Sequence, residues 1–308
     1  MINFRYHIVS LMAVFIALSV GIAVGVSLSP SVDQGLLQQA AQDREQVANL
    51  RAELDRRKAL GDYRNAYDEQ VGEAVTAGVL NGERVAIVAM PEAPEDVVQS
   101  ISTAVVGAGG TVVREVGVNA EAFDAGKAED ITDALADYFG PLGLNDTMSA
   151  ATRLGVALGR SIGSKEMEDR DPLALALGES LESRGLVTIS GESSSQAQLI
   201  IVVTAPASDP RPTPEELTAH VQFQVGLTMR GGVVLAGPNS EDIEGTDVLA
   251  ARSDPTAVDS LSTVDVADLS SGVTTVVLAG KERLLGRASQ HYGALTRADA
   301  PLPELPVR

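Results

Sequence analysis

The chain has 308 residues, with 23 basic against 42 acidic side chains and a formal charge of −19 at neutral pH, a balance that excludes the clustered basic face a nucleic-acid binder needs. With 44% hydrophobic residues and a mean hydropathy of +0.10 it is too apolar for disorder, and its length suits a membrane anchor plus one medium-sized domain or two small ones. Cysteine is absent, which excludes disulfides, thiolate metal sites and a Cys nucleophile.

The first predicted element is a membrane-spanning helix. Ile8 to Leu28 carries no charge, and a helix rising 1.5 Å per residue needs about 20 such residues to cross a bilayer. Arg5 precedes the run and Asp33 is the first charge after it, so the positive-inside rule puts the N-terminus in the cytoplasm and the bulk of the chain outside. The rival reading is a signal peptide cleaved near the small residues Gly25 and Ser27. Against it, the apolar run exceeds the ~7–15 residues of a signal core.

Ala13, Ala17, Gly21 and Gly25 recur every fourth residue, so they lie along one side of the span, where small side chains let a second backbone approach. Gly and Ala are also common in membrane helices by chance. The next stretch favours a seam. Leu36, Ala40, Asp43, Val47, Leu50 and Leu54 follow the alternating spacing of heptad a and d positions, with Asp43 a charged intruder, and the polar flanks leave only a stripe to bury. The stripe predicts a parallel dimeric coiled-coil stalk; its rival is a helix packed on its own globular domain.

From Asn81-Gly82 onward, short β-rich runs alternate with amphipathic helices, the pattern of crossover connections and a mostly parallel sheet. Strands are predicted at Arg84 to Met90, Thr111 to Val118, Leu186 to Ser190, Leu199 to Thr204, Gly232 to Ala236 and Thr274 to Ala279. Helices are predicted at Pro94 to Gly107, Asp124 to Phe139, Thr147 to Ile162, Pro172 to Arg184 and Pro214 to Met229, several opened by Pro, Asp or Thr as helix starts commonly are. Gly155, Gly159 and Gly163 share a helix face and predict close packing against a neighbour. The expected fold class is therefore α/β. Residues 1–30 form a cytoplasmic tip and transmembrane helix, 31–80 a helical stalk, and 81–308 an extracytoplasmic domain of a mostly parallel sheet flanked by helices, with an extended, mobile tail at Pro301 to Pro306.

Chemistry-bearing motifs are scarce. Gly280-Lys281 is followed by Glu282 without the upstream glycine of a Walker loop, and Gly107 to Gly110 sits between a helix and a strand, the reverse of a dinucleotide-binding turn. Gly191 to Ser195 lacks the second glycine of a nucleophile elbow. Three histidines are present, His7, His220 and His291; a dyad of His291 with Asp265 is the one catalytic pairing the residues suggest, and no motif accompanies it. Met12, Met90, Met148, Met167 and Met229 are scattered with no paired spacing, so a Cu(I) site would have to assemble from remote positions. The expectation is a non-enzymatic protein with no catalytic, cofactor or metal residues. The stalk, Ser193 to Gln196 and the proline-containing loop Ala205 to Thr213 are the candidate contact surfaces.

The opening Asn3 to Leu11, with Ala13-Val14-Phe15, Ala17-Leu18 and Gly21, resembles the start of the actinobacterial MctB family, labelled copper transport protein B. Ser262 to Asp265 and His291 to Gly293 resemble that family's C-terminal motifs. The resemblance implies a cell-envelope protein, described in mycobacteria as a pore-forming factor that keeps cellular copper low. In corynebacteria the similar protein SteB is described as a single-pass partner of the membrane protein SteA, acting in cell separation through a peptidoglycan hydrolase. No ligand residues come with the resemblance. A self-contained pore needs several spans or a closed barrel with aromatic girdles, and one span with α/β-type strands offers neither. The sequence therefore favours a homodimeric, membrane-anchored adaptor acting through an envelope partner similar to SteA, with copper handling, and copper as its ligand, as the alternative.

Overall fold

Helix formation begins at once: in the computed structural model α1 spans Phe4–Thr76. The structure describes residues 4–191, 194–208, 210–238, 240 and 244–305, with the side chains of 4, 5, 27–38 and 125 outside that description. The chain divides into two compact units, Met1–Arg64 and Asn65–Arg308.

The first unit is helical throughout its described residues. Its segment Tyr6–Val26, 21 residues long, is apolar enough to cross a membrane, and none of it is buried within the chain. Within that segment the Ser19 hydroxyl donates to the Phe15 carbonyl at 2.8 Å, which satisfies that hydroxyl without water. Beyond it, Glu53 and Arg57 pair one turn apart at 2.7 Å, an orientation worth a few tenths of a kcal/mol to a helix.

The second unit is a three-layer α/β/α domain. Its strands are β1 (Arg84–Ala89), β2 (Thr111–Val118), β3 (Val187–Ser190), β4 (Leu199–Val203), β5 (Gly232–Ala236), β6 (Ser262–Val264) and β7 (His291–Tyr292). They form one sheet in the order β3-β2-β1-β4-β5-β6-β7, parallel throughout except where β3 runs antiparallel to β2. Its helices are α2 (Glu95–Gly107), α3 (Ala128–Ala134), α4 (Phe139–Leu142), α5 (Ala150–Ile162), α6 (Pro172–Ser183), α7 (Pro214–Leu227), α8 (Asp247–Ser253), α9 (Ala257–Ser260) and α10 (Ser270–Leu284). Successive strand residues serve opposite faces. Ala86, Val88, Ile200 and Val202 join the core beneath α5, α6 and α7; Val85, Ile87, Ile201 and Val203 join the core beneath α2 and α10.

The strands predicted at 84–90, 111–118, 186–190, 199–204 and 232–236 are present within a residue of their expected ends. The helix starts at Pro172 and Pro214 are present too, whereas α5 begins at Ala150, capped by Ser149, rather than at Thr147. The Asp171 carboxylate accepts from the Ala174 N–H at 2.8 Å, and Thr213 and Glu216 form a reciprocal capping box ahead of α7. The glycines on α5 do pack closely: a Cβ on Gly155 would overlap the Phe223 carbonyl oxygen, and Gly226 of α7 meets the Thr152 carbonyl.

Three expectations are corrected. Thr274 to Ala279 is not a strand but the middle of α10. Six β-branched and apolar residues in a row fit a buried helix as well as a buried strand; here the Thr274 and Thr275 hydroxyls bond back to Ser270 and Ser271 one turn earlier, and the run continues into Lys281 to Leu284. The single helix over 124–139 is broken into α3, a 3₁₀ turn at Ala136–Tyr138, and α4. Pro141 has no N–H for the helical ladder and its ring would strike the carbonyl of residue 137. Two strands, β6 and β7, were not foreseen, because three and two residues respectively are too short for a period to show. In the tail, Ala300 bridges to Tyr292 and Pro303 is buried, while 306–308 lie outside the described residues.

Candidate functional site

The sheet order sets the position of the candidate site. Chain connections leave β1 toward β2 on one side and β4 toward β5 on the other, so the carboxyl ends of β1 and β4 form the topological switch point, where open α/β sheets leave a crevice. A cleft of about 310 Å³ lies there. One wall is the turn after β1, Met90-Pro91-Glu92; another is Ala205, Pro206, Ser208, Pro210 and Arg211 from the loop after β4; Phe123, Glu216, His220 and Asp247 complete it.

His220 and Asp247 are the organised pair in this cleft. The His220 Nδ1 lies 2.9 Å from Asp247 Oδ1, and the Asp247 side chain is only 8% exposed. The other carboxylate oxygen accepts from Gln224 Nε2 at 2.7 Å. An ionised carboxylate can only accept, so the shared proton sits on Nδ1 and leaves Nε2 as an acceptor in the neutral ring. The edge of the Phe123 ring system meets the imidazole with centroids 4.4 Å apart. Glu216 is held below the usual carboxylate range, first by the backbone N–H of Thr213, with the nearby His220 contributing in the same direction.

Glu92 adopts φ +62°, a left-handed conformation that is uncommon outside glycine and asparagine. Among the described residues, the buried oxygens with no hydrogen-bond partner include Thr204 Oγ1, on the residue following β4, and Gln224 Oε1. Sequence reasoning placed His220 on a helix and Ala205 to Thr213 in a loop but did not bring them together. Only the strand order does that. Among the described residues no group of three or more His, Cys, Asp or Glu is placed to hold a metal ion.

A family model described as "Copper transport outer membrane protein, MctB" matches residues 1–303. The chain belongs to the MctB family. Proteins named "Copper transporter MctB" from Mycobacterium bovis and Mycobacterium tuberculosis are each 29% identical to it over 309 residues, covering 95% of this chain and 96% of theirs. The protein of the same name from Mycobacterium leprae is 26% identical over 307 residues, with the same coverage.

In this MctB-family chain the two C-terminal segments that carried the resemblance, Ser262 to Asp265 and His291 to Gly293, meet in one buried knot organised by Arg252. Asp265 pairs with Arg252 at 2.7 Å, their side chains 1% and 0% exposed, and accepts from the Ala294 and Leu295 N–H groups at 2.9 and 3.2 Å. Arg252 also donates to Thr263 Oγ1 and the Tyr292 carbonyl, each at 2.8 Å. The His291 ring donates to the Val258 carbonyl through its other nitrogen, which leaves Nδ1 to accept from the Thr263 hydroxyl at 3.1 Å. Burial, reinforced by the Arg252 charge, pushes the His291 pKa below its ordinary value of 6.5. A Cβ on Gly293 would overlap the Asp265 carboxylate, so this glycine makes the knot possible.

The remaining sequence-predicted residues lie on α1. Ala13 and Ala17 are exposed within the apolar segment, and a Cβ on Gly21 or Gly25 would meet nothing within 4 Å. Val47, Leu50 and Leu54 are about half exposed, at 46%, 53% and 64%, and Ala40 is exposed; the Leu36 side chain lies outside the described residues. Of the Ser193 to Gln196 surface, Ser193 lies outside them too, and Gln196 turns inward to donate to the Arg160 and Gly163 carbonyls at 2.8 and 3.2 Å.

Proposed function

We propose that this MctB-family chain is a single-pass, membrane-anchored envelope protein with its main domain outside the cytoplasm. In this reading it is a non-enzymatic parallel homodimer that regulates cell-wall remodelling and cell separation by contact with protein partners. The observation that carries it is the helix α1: one span-length apolar segment, followed by a stripe of Val47, Leu50 and Leu54, each about half exposed. Exposed leucines at heptad spacing on a helix this long are costly to leave wet and are covered when a second copy aligns in register. One span with Ser10, Ser19 and Ser27 as its hydroxyl side chains lacks the polar face of a conducting path, which favours transmission by contact over transport. A membrane partner similar to SteA fits the same reading, since a span-length apolar segment and an exposed stripe beyond it would each offer a protein contact. The full chain in detergent micelles should give the mass of a dimer by light scattering, and Leu50→Asp should give monomers. A wild-type monomer, or a dimer untouched by Leu50→Asp, would overturn the stalk reading.

Copper handling is kept as a second reading because Met90 and His220 line the same switch-point cleft, a thioether and an imidazole of the kind soft Cu(I) accepts. It requires competitive Cu(I) binding by the full chain that is lost in both Met90→Leu and His220→Phe. Absence of Cu(I) binding would remove it and leave the adaptor reading standing.

A further inference from the structure

We propose that the switch-point cleft binds an alkylammonium group, carried by a small amine or by a peptide's lysine or free N-terminus. The inference rests on the cleft alone and not on the adaptor reading.

The cleft is biased toward a donor-rich, positively charged ligand in two ways. Glu92, Asp124, Glu216 and Asp247 line it, whereas its one guanidinium, Arg211, lies 3.4 Å from the Glu244 carboxylate, so negative charge is in excess. Its neutral histidine presents an acceptor, because the Asp247 carboxylate accepts from the Nδ1–H of His220 and the Nε2 lone pair stays open. An ammonium brings three donors and one positive charge. The walls suit the rest of such a molecule. Pro91, Pro206, Pro210, Pro212 and Phe123 offer rigid apolar surface for methylene groups. The N-terminus of α7 beside the cleft is already closed by the Thr213 and Glu216 capping box. The topology adds that this crevice is where open α/β sheets take ligands.

Isothermal titration of the full chain in detergent micelles with butane-1,4-diamine, a glycyl-lysine peptide and the N-acetylated form of each tests it. The expected result is saturable binding of at least one amine, weakened tenfold or more by acetylation. Tighter binding of the peptide assigns the site to peptide amino groups, and tighter binding of the diamine assigns it to free amines. Two variants separate ligand binding from folding. Glu92→Gly removes a carboxylate and relieves the +62° φ, so it should weaken the amine tenfold or more with Tm unchanged or raised. Asp247→Asn should weaken it as well. No saturable heat with either amine, equal binding of the acetylated forms, or full affinity in Glu92→Gly would overturn the proposal.

Discussion

Replacing Arg252 with methionine keeps much of the side-chain length and removes the charge at the centre of the C-terminal knot. Four hydrogen bonds go with it: to Thr263 Oγ1 at 2.8 Å, Asp265 Oδ2 at 2.7 Å, the Tyr292 carbonyl at 2.8 Å and the Thr296 carbonyl at 3.1 Å. Asp265, 1% exposed, is left with the Ala294 and Leu295 N–H groups and no counter-charge. Removing one partner of a buried ion pair costs about 3–5 kcal/mol. For a folding unit of about 150–250 residues each kcal/mol moves Tm by about 2–4 °C, so a drop of about 6–20 °C is expected. Because β7 is held to β6 by only a short ladder, the loss should appear first there, as faster amide exchange across 291–300. Thermal unfolding by circular dichroism and hydrogen exchange by mass spectrometry read the two effects. A Tm within about 3 °C of wild type, corresponding to about 1 kcal/mol, with unchanged protection of 291–300, would refute the reasoning.

Other expected outcomes follow from the same geometry. Gly155→Ala drives a methyl into the Phe223 carbonyl, an overpacking that costs about 1–3 kcal/mol and is measured by denaturant midpoint at unchanged m-value. Asp171→Ala removes the acceptor for the Ala174 N–H at the start of α6 and should cost about 1 kcal/mol; no change would mean that the cap is idle. His291 has a folded pKa below its ordinary 6.5, so the unfolded chain binds the extra proton. Its contribution is therefore full above pH 6.5 and is lost as pH falls from there through the folded value. The Asp171 and Glu216 carboxylates are also held low, but their contributions fade only as pH falls below their ordinary values of 3.8 and 4.5. The wild type should consequently begin to lose Tm below about pH 6.5, and His291→Asn, which keeps an acceptor for Thr263, should flatten that first phase and leave the lower one.

The parts of the fold legible in sequence were those with long, one-sided patterns. RVAIVAM and LIIVV are buried on both faces and read as central parallel strands, and Asp171-Pro172 and Thr213-Pro214 announced their helices through the geometry of the first turn. TTVVLA defeated the reading because local β preference is weaker than the burial of α10 against the sheet. The cleft was not legible for a different reason. Pro91-Glu92, Ala205-Pro206, His220 and Asp247 are brought together by strand order, which no local period encodes. The knot was half legible: Thr263, Asp265 and His291 stood out, but their organiser, Arg252, lies on a short helix with no motif of its own.

The central claim is that two copies of α1 run parallel and in register. The chain has no native cysteine, so single cysteines placed in turn at Ala40, Asp43, Val47, Leu50 and Leu54, and at Arg44, Arg51 and Asp55 as flank controls, can be oxidised in native membranes against a clean background. The account predicts disulfide dimers at the first set and weak cross-linking at the second. Equal cross-linking at every position, or none at Val47, Leu50 and Leu54, would contradict it.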